Sequence, residues 1–240
     1  MTTCQLCGAG TYSATVGATS AGTCVACAVG HYSVAGSTQC IPCPAGSYAD
    51  AAGTAVCALC AAGTYSAVLG ATASGTCIEC RRGTYSYLGQ AACTICPTGT
   101  YTANTGSTSS ADCLGCPAGT FGPKSPLDGA AACSSCPAGT YSTAVGATAL
   151  TTCQLCGAGT YSATVGATSA GTCVACAVGY FAPVAGVTEC LRCLPPTIAS
   201  ASGSSACTFC PAGFFASMPG MQSCSQCPAG LSHAFVIVLL

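Results

Sequence analysis

Residues 133–142 read CSSCPAGTYS, and variants of this decapeptide return along nearly all of the 240-residue chain. Its fixed points are two cysteines separated by two residues, a glycine three positions after the second cysteine, and an aromatic two positions after that glycine. Thirteen such C-x-x-C pairs, from Cys4/Cys7 to Cys224/Cys227, use all 26 cysteines. The glycine recurs as Gly10, Gly30, Gly46, Gly63, Gly83, Gly99, Gly119, Gly139, Gly159, Gly179 and Gly213. The aromatic follows as Tyr12, Tyr32, Tyr48, Tyr65, Tyr85, Tyr101, Phe121, Tyr141, Tyr161, Phe181 and Phe215. A second glycine comes about ten residues after the second cysteine. Between successive pairs lie 12, 13 or 16 residues, and the extra ones fall after the second glycine, as in GATSAGTC (17–24) against GSTQC (36–40). That turn therefore accepts insertions.

Composition limits how such units can fold. Charged residues make up 4% of the chain, Trp is absent, and the 51% counted as hydrophobic is inflated by Ala and Cys. Small side chains bury little area, and at about 25 cal/mol per Å² they do not offset a backbone entropy cost of roughly 1 to 2 kcal/mol per residue. Covalent staples have to supply the difference, which makes a disulfide scaffold the expected class. The expected fold is a string of small disulfide-rich repeats, an elongated rod of short β-hairpin or loop units with little or no helix. No stretch has an apolar 3.6-residue period, whereas glycine suits turns with positive φ and the T-Y-S stretch suits short strands. Each unit is expected to touch mainly its neighbours, with the aromatic packing on the adjacent disulfide.

Residues 4–230 divide into about twelve tandem units of 16, 17 or 20 residues. Residues 2–30 recur unchanged at 151–179, which points to recent internal duplication and to an array that grows by copying. Because the second copy follows a full unit, the first is expected to begin inside a longer array. Residues 231–240 form an apolar tail, too short for a membrane span of about 20 residues. It reads either as a truncated membrane segment or as a reading error past an exon end. Two units depart from the pattern. CLPPTIA (193–199) puts Pro196 in place of the glycine and Ile198 in place of the aromatic, and FGPKSPLDG (121–129) carries Pro123, Lys124, Pro126 and Asp128.

Three chemistries use C-x-x-C. In an extended pair the two Cα atoms lie about 10 Å apart, beyond the ~7 Å that a disulfide spans, so bonds between pairs are easier than bonds within them. The repeat grammar suggests a ladder: Cys7 with Cys24, Cys27 with Cys40, Cys43 with Cys57, Cys60 with Cys77, Cys80 with Cys93 and Cys96 with Cys113. It continues with Cys116 and Cys133, Cys136 and Cys153, Cys156 and Cys173, Cys176 and Cys190, Cys193 and Cys207, and Cys210 and Cys224. Cys4 and Cys227 fall outside these loops. A tight turn within a pair would allow the other bond, so spacing alone leaves both open. The second chemistry is an intracellular zinc array. Thirteen pairs do not divide into two-pair sites, and six four-thiolate centres at about −2 each would face only four basic residues. The third, thiol redox catalysis, requires a C-x-x-C at a helix N-terminus, which nothing here provides.

Other catalytic constellations are absent from the sequence. His31 occupies a slot that Tyr180 fills in the second copy and reads as an exposed variant. Asp50, Glu79, Asp112, Asp128 and Glu189 are single and far apart, Asn104 lies outside a glycosylation sequon, and no calcium-loop pattern occurs. The expectation is therefore no catalytic residue, metal site or cofactor. A net charge of −1, with Arg81–Arg82 the only adjacent basic pair, disfavours nucleic acid and anionic membrane surfaces. Ser and Thr are abundant enough for O-linked sugar, which would help a nearly uncharged surface stay soluble.

The unit C-x-x-C-P-A-G-T-Y-S resembles the ephrin-receptor-like cysteine-rich repeats, which are similar in turn to EGF-like and tumour-necrosis-factor-receptor cysteine-rich modules. The resemblance covers Cys4 to Gly230. It implies an extracellular, disulfide-bonded rod from a large cell-surface or secreted protein, serving as stalk, spacer, filament or adhesive surface, with a ligand-binding receptor ectodomain as the alternative. Implied partners are proteins: like chains, matrix or a cell-surface ligand. Membrane attachment would come only through a C-terminal anchor. The loop-closing bond of such receptor modules agrees with the ladder above. These 240 residues contain no kinase or ephrin-binding domain, so the resemblance implies no signalling activity for them.

Overall fold

The structure, a computed structural model, describes residues 4–229 apart from 124, 125, 127, 130 and 131. The apolar tail 231–240 lies outside the described residues, as does Lys124 of the FGPKSPLDG loop. The chain forms two compact bodies: residues up to Gly115 together with 124–132, and residues 116–123 together with Cys133 onward. One local plan builds both.

The unit begins with a turn. In Pro97–Thr100 the amide of Thr100 donates to Pro97 O at 3.1 Å and the third residue, Gly99, has φ 77°. Positive φ at the third position alone is the type II pattern, which glycine adopts without a Cβ clash. The threonine hydroxyl doubles the turn bond, as in Thr100 Oγ1 to Pro97 O at 2.7 Å and Thr140 Oγ1 to Pro137 O at 2.7 Å. The chain leaves this turn as a two-residue strand, Thr11–Tyr12 in the first unit, which pairs antiparallel with Val25–Ala26, the dipeptide inside the next C-x-x-C. Among the described residues this gives twelve two-stranded sheets in the same register, with the aromatic, or Ile198 in the exceptional unit, opposite the first residue of the dipeptide, as in Tyr65↔Ile78 and Phe181↔Leu191. No α-helix occurs among the described residues, in line with the sequence expectation.

Because the dipeptide is a strand, the C-x-x-C is extended and its cysteines reach across loops instead of toward each other. Twelve disulfides, from Cys7–Cys24 to Cys210–Cys224, close loops at Cα separations of 5.5–5.9 Å, within the range a disulfide spans. Where a loop is longest, the added residues coil into one 3-10 turn directly before the closing cysteine: Ala21–Thr23, Ser74–Thr76, Ser110–Asp112, Leu150–Thr152 and Ala170–Thr172.

Stacking of units runs through the backbone. Within the first body Gly46 N donates to Ser66 O of the next unit at 2.7 Å, Ala49 N donates to Ala71 O at 2.9 Å, and Gly70 N donates back to Cys43 O at 2.8 Å. Within the second body Gly139 to Ser162, Ser142 to Ala167, and Gly166 to Cys136 repeat the three bonds at 2.7, 3.0 and 2.8 Å. The residue after the aromatic thus accepts from the unit behind and donates to the unit ahead. Contact also reaches the next unit but one. A Cβ added at Gly46 would fall on the carbonyl oxygen of Gly89, and one at Gly139 on that of Gly186. Within each body such units are therefore locked by two successors, a closer arrangement than the nearest-neighbour contact expected from sequence.

The core consists of sulfur and small side chains. Cys27, Cys43, Cys80, Cys116, Cys136, Cys176 and Cys193 are fully buried, as are Ser33, Ala49, Ser66, Ser86, Ser142, Ser162 and Ala182 at the position after the aromatic. Where that position is Ser its hydroxyl stays paired: Ser33 Oγ donates to Thr11 O and Ser86 Oγ to Thr64 O, both at 2.9 Å. The expected packing of the aromatic on the next disulfide is seen at Tyr32, which covers Cys43, Ala49 and Cys57. In the exceptional unit, Thr197–Ile198 still pairs with Thr208–Phe209. Pro196, however, has no amide hydrogen to give the following unit, so this junction loses one of the three bonds made elsewhere.

Candidate interaction surface

The side chains that could carry chemistry are dispersed. Among the described residues no three or more His, Cys, Asp or Glu side chains gather where they could hold a metal ion. Asp112 has a structural role: its Oδ2 accepts from Thr108 N at 2.8 Å and Ser109 N at 3.1 Å, capping a 3-10 turn. His31, expected to be exposed, is half-buried in its hairpin opposite Pro42, with Nδ1 3.3 Å from Val29 O. Of the cysteines proposed for the ladder, each lies in a bonded pair, while Cys4 is exposed.

What the fold does present is a repeating apolar relief. Every hairpin but that of Ile198 sets a half-buried aromatic beside the first residue of the dipeptide, and in several units that residue is an exposed Val, Ile or Leu: Tyr12 with Val25, Tyr32 with Ile41, Tyr65 with Ile78, Tyr101 with Leu114, Tyr161 with Val174. Cross-strand aromatic–aliphatic pairs stabilise a hairpin by roughly 0.2 to 1 kcal/mol, so part of the relief is structural. Its outer faces remain open to solvent.

The CLPPTIA unit differs in kind. Phe181, Leu191, Leu194 and Thr197 line a shallow groove beside the Cys193–Cys207 bond. Leu194, 64% exposed, occupies a slot that is Ala, Pro, Gly or Arg in the other units. Next to it the Arg192 guanidinium carbon lies 5.8 Å from the centre of the Tyr180 ring. Sequence reasoning singled out this unit by its prolines but not Arg192 or Tyr180. Their signal is a charged residue at the second dipeptide position opposite an aromatic where most other units have Thr or Ser, His31 and Phe214 being the exceptions.

The sequence profile described as tyrosine-protein kinase ephrin type A/B receptor-like matches residues 30–75, 71–113, 110–153, 165–205 and 197–236. The chain belongs to the ephrin-receptor-like repeat family. No curated protein matches it closely enough to count as a relative. Ephrin-receptor-like repeats are a non-catalytic, disulfide-rich module type, associated in general with protein–protein interaction and with extracellular regions. No helix among the described residues is long and apolar enough to cross a membrane.

Proposed function

We propose that this chain is a non-enzymatic structural or adhesion region, a stalk, spacer or filament segment, of a larger cell-surface or secreted protein. The observation that carries the reading is the construction of the core: paired cysteines and Ala or Ser side chains, joined by backbone hydrogen bonds, with few ionisable groups left for chemistry. Such a core depends on an oxidising compartment. The test is to isolate the chain from its native source, block thiols before denaturation, and count blocked cysteines by mass. Near-zero free thiols among the 24 proposed partners support the reading. About 26 blocked thiols with bound zinc would overturn it in favour of the intracellular metal array.

A ligand-contact role is the second reading, favoured by the Leu194 groove alone. Leu194→Ser would then abolish adhesion of the purified chain to cells while leaving its disulfide map unchanged.

A further inference from the structure

Threonine recurs at three positions of the long units. The hydroxyls of the turn are tied to a carbonyl three residues back, as in Thr64 Oγ1 to Ala61 O at 2.7 Å. Those closing the 3-10 turns are tied the same way, Thr76 Oγ1 to Ala73 O at 2.8 Å and Thr152 Oγ1 to Ala149 O at 2.7 Å. A third position carries threonine in all five described 3-10 units, two residues after the second glycine: Thr19, Thr72, Thr108, Thr148 and Thr168. All five are exposed. Thr108 Oγ1 lies 3.4 Å from Asp112 Oδ2, whereas the other four hydroxyls make no hydrogen bond within the described structure. The residue that follows each is extended, for example φ −157° and ψ 154° at Ala73, so the hydroxyl sits on an open, extended approach to the turn.

The surroundings give those hydroxyls a use. The exposed apolar residue before each second glycine, Val16, Leu69, Val145 or Val165, stands three positions from its threonine. With nine charged side chains in 240 residues, ionic groups do little to hydrate these tips. Thr72 does pack, its Cγ2 methyl lying against Gly30, but a methyl contact leaves the hydroxyl unexplained, and a recurrent threonine oxygen without a hydrogen bond, beside an uncovered Val or Leu, has no part in turn chemistry. Duplication accounts for its recurrence in the identical copies at Thr19 and Thr168, but not at Thr72 and Thr148, whose flanking residues differ.

We propose that Thr19, Thr72, Thr148 and Thr168 are acceptors of O-linked sugar, added by a glycosyltransferase from a nucleotide-activated donor. The threonine oxygen forms the bond to the anomeric carbon and its proton passes to a base of the transferase. The bond from the anomeric carbon to phosphate breaks, and the nucleotide phosphate leaves with the electron pair. The inference rests on the extracellular reading, since transferases of the secretory route must meet the folded unit.

The test uses the full chain from its native source, reduced and alkylated, then cleaved at Arg81, Arg82, Lys124 and Arg192, and read by electron-transfer mass spectrometry. Those cleavages place Thr19 and Thr72 in residues 1–81 and Thr148 and Thr168 in residues 125–192, which keeps the identical copies apart. The expected result is sugar mass on these four threonines, with Thr64, Thr76, Thr152 and Thr172 bare. Thr72→Ala removes one glycan from peptide 1–81, and Thr76→Ala removes none. Four bare sites, or sugar spread equally over the bonded threonines, would overturn the proposal. The thiol count of the same sample separates the two failures. Bridged cysteines without sugar reject only the modification, whereas free thiols reject the extracellular reading itself.

Discussion

At the scale of the residue, the first glycine of each unit meets two demands at once. Gly46 has φ 85°, a region that costs an L-residue about 1 to 2 kcal/mol, and its missing Cβ leaves room for the backbone oxygen of Gly89 two units on. The second demand is the more severe, because a backbone atom cannot rotate away as a side chain can. Gly46→Ala is therefore expected to destabilise the oxidised protein by about 3 kcal/mol or more. Gly75→Ala, at a glycine with no positive φ and nothing within 4 Å of the added carbon, is expected to change stability by about 0.5 kcal/mol or less. Urea unfolding of the two variants checks the contrast, and equal effects would mean the stacking contact is not required. A milder case is Ser86, buried and bonded to Thr64 O. Ser86→Ala reproduces what Ala49 already does at the same position and should cost about 1 kcal/mol, while Ser86→Val adds volume where the next unit's backbone lies and should cost about 1 to 3 kcal/mol. Thermal unfolding ranks the two.

At the scale of the element, the unit is a disulfide-closed loop that shares hydrogen bonds with the loops around it. Replacing both Cys60 and Cys77 by Ser opens one loop, with a nominal loss of about 3 kcal/mol from the freed unfolded chain. Amide exchange is expected to quicken in that loop and in the two it bonds to, at Gly46, Gly63, Ser66 and Gly89, and to stay unchanged around Gly159 and Gly179. Uniform loss of protection along the chain would instead show that the units do not behave as a one-dimensional array. Much of the element was legible in sequence: the glycine turn, the T-Y strand, and the insertion point where the 3-10 turns form. The stacking was not. Its donors are backbone amides of glycines and of the small residue after the aromatic, and its acceptors are carbonyls of that small residue, of the second cysteine and of the residue after the second glycine. Ser33, Ala49 and Thr102 share no hydrophobic pattern that would mark them as buried. The approach of Gly10 to Gly53 joins residues whose only shared feature is the absence of a side chain. Periodicity reports side chains, so a fold that packs through backbone leaves its contacts unwritten.

At the scale of the molecule, modularity can be read directly from the duplicated segment. Gly10 N donates to Ser33 O at 2.8 Å, and Gly159 N, in the identical sequence, donates to Ala182 O at 2.9 Å, although the units that follow differ. The same local sequence thus makes the same backbone bond before two different followers, and Gly10 and Gly159 likewise each approach a second-glycine carbonyl two units on, at Gly53 and Gly203. Many of the chain's large apolar side chains, among them Val16, Leu69, Val145 and Phe209, are exposed, so burial of hydrocarbon contributes little to offset conformational entropy. Opening all twelve loops at a nominal 3 kcal/mol each would exceed the 5 to 15 kcal/mol that holds an ordinary domain together, although the loops are neither independent nor strictly additive. Full reduction in dithiothreitol without denaturant is accordingly expected to abolish amide protection throughout both bodies, at temperatures where the oxidised protein keeps it. Zinc added to the reduced chain separates this account from the metal-array alternative. Under the disulfide account protection stays lost and returns only on reoxidation, with the non-reducing peptide map again joining Cys7 to Cys24 and Cys210 to Cys224. Recovery of protection with zinc alone would show that thiolate coordination, not the disulfide, supplies the stability.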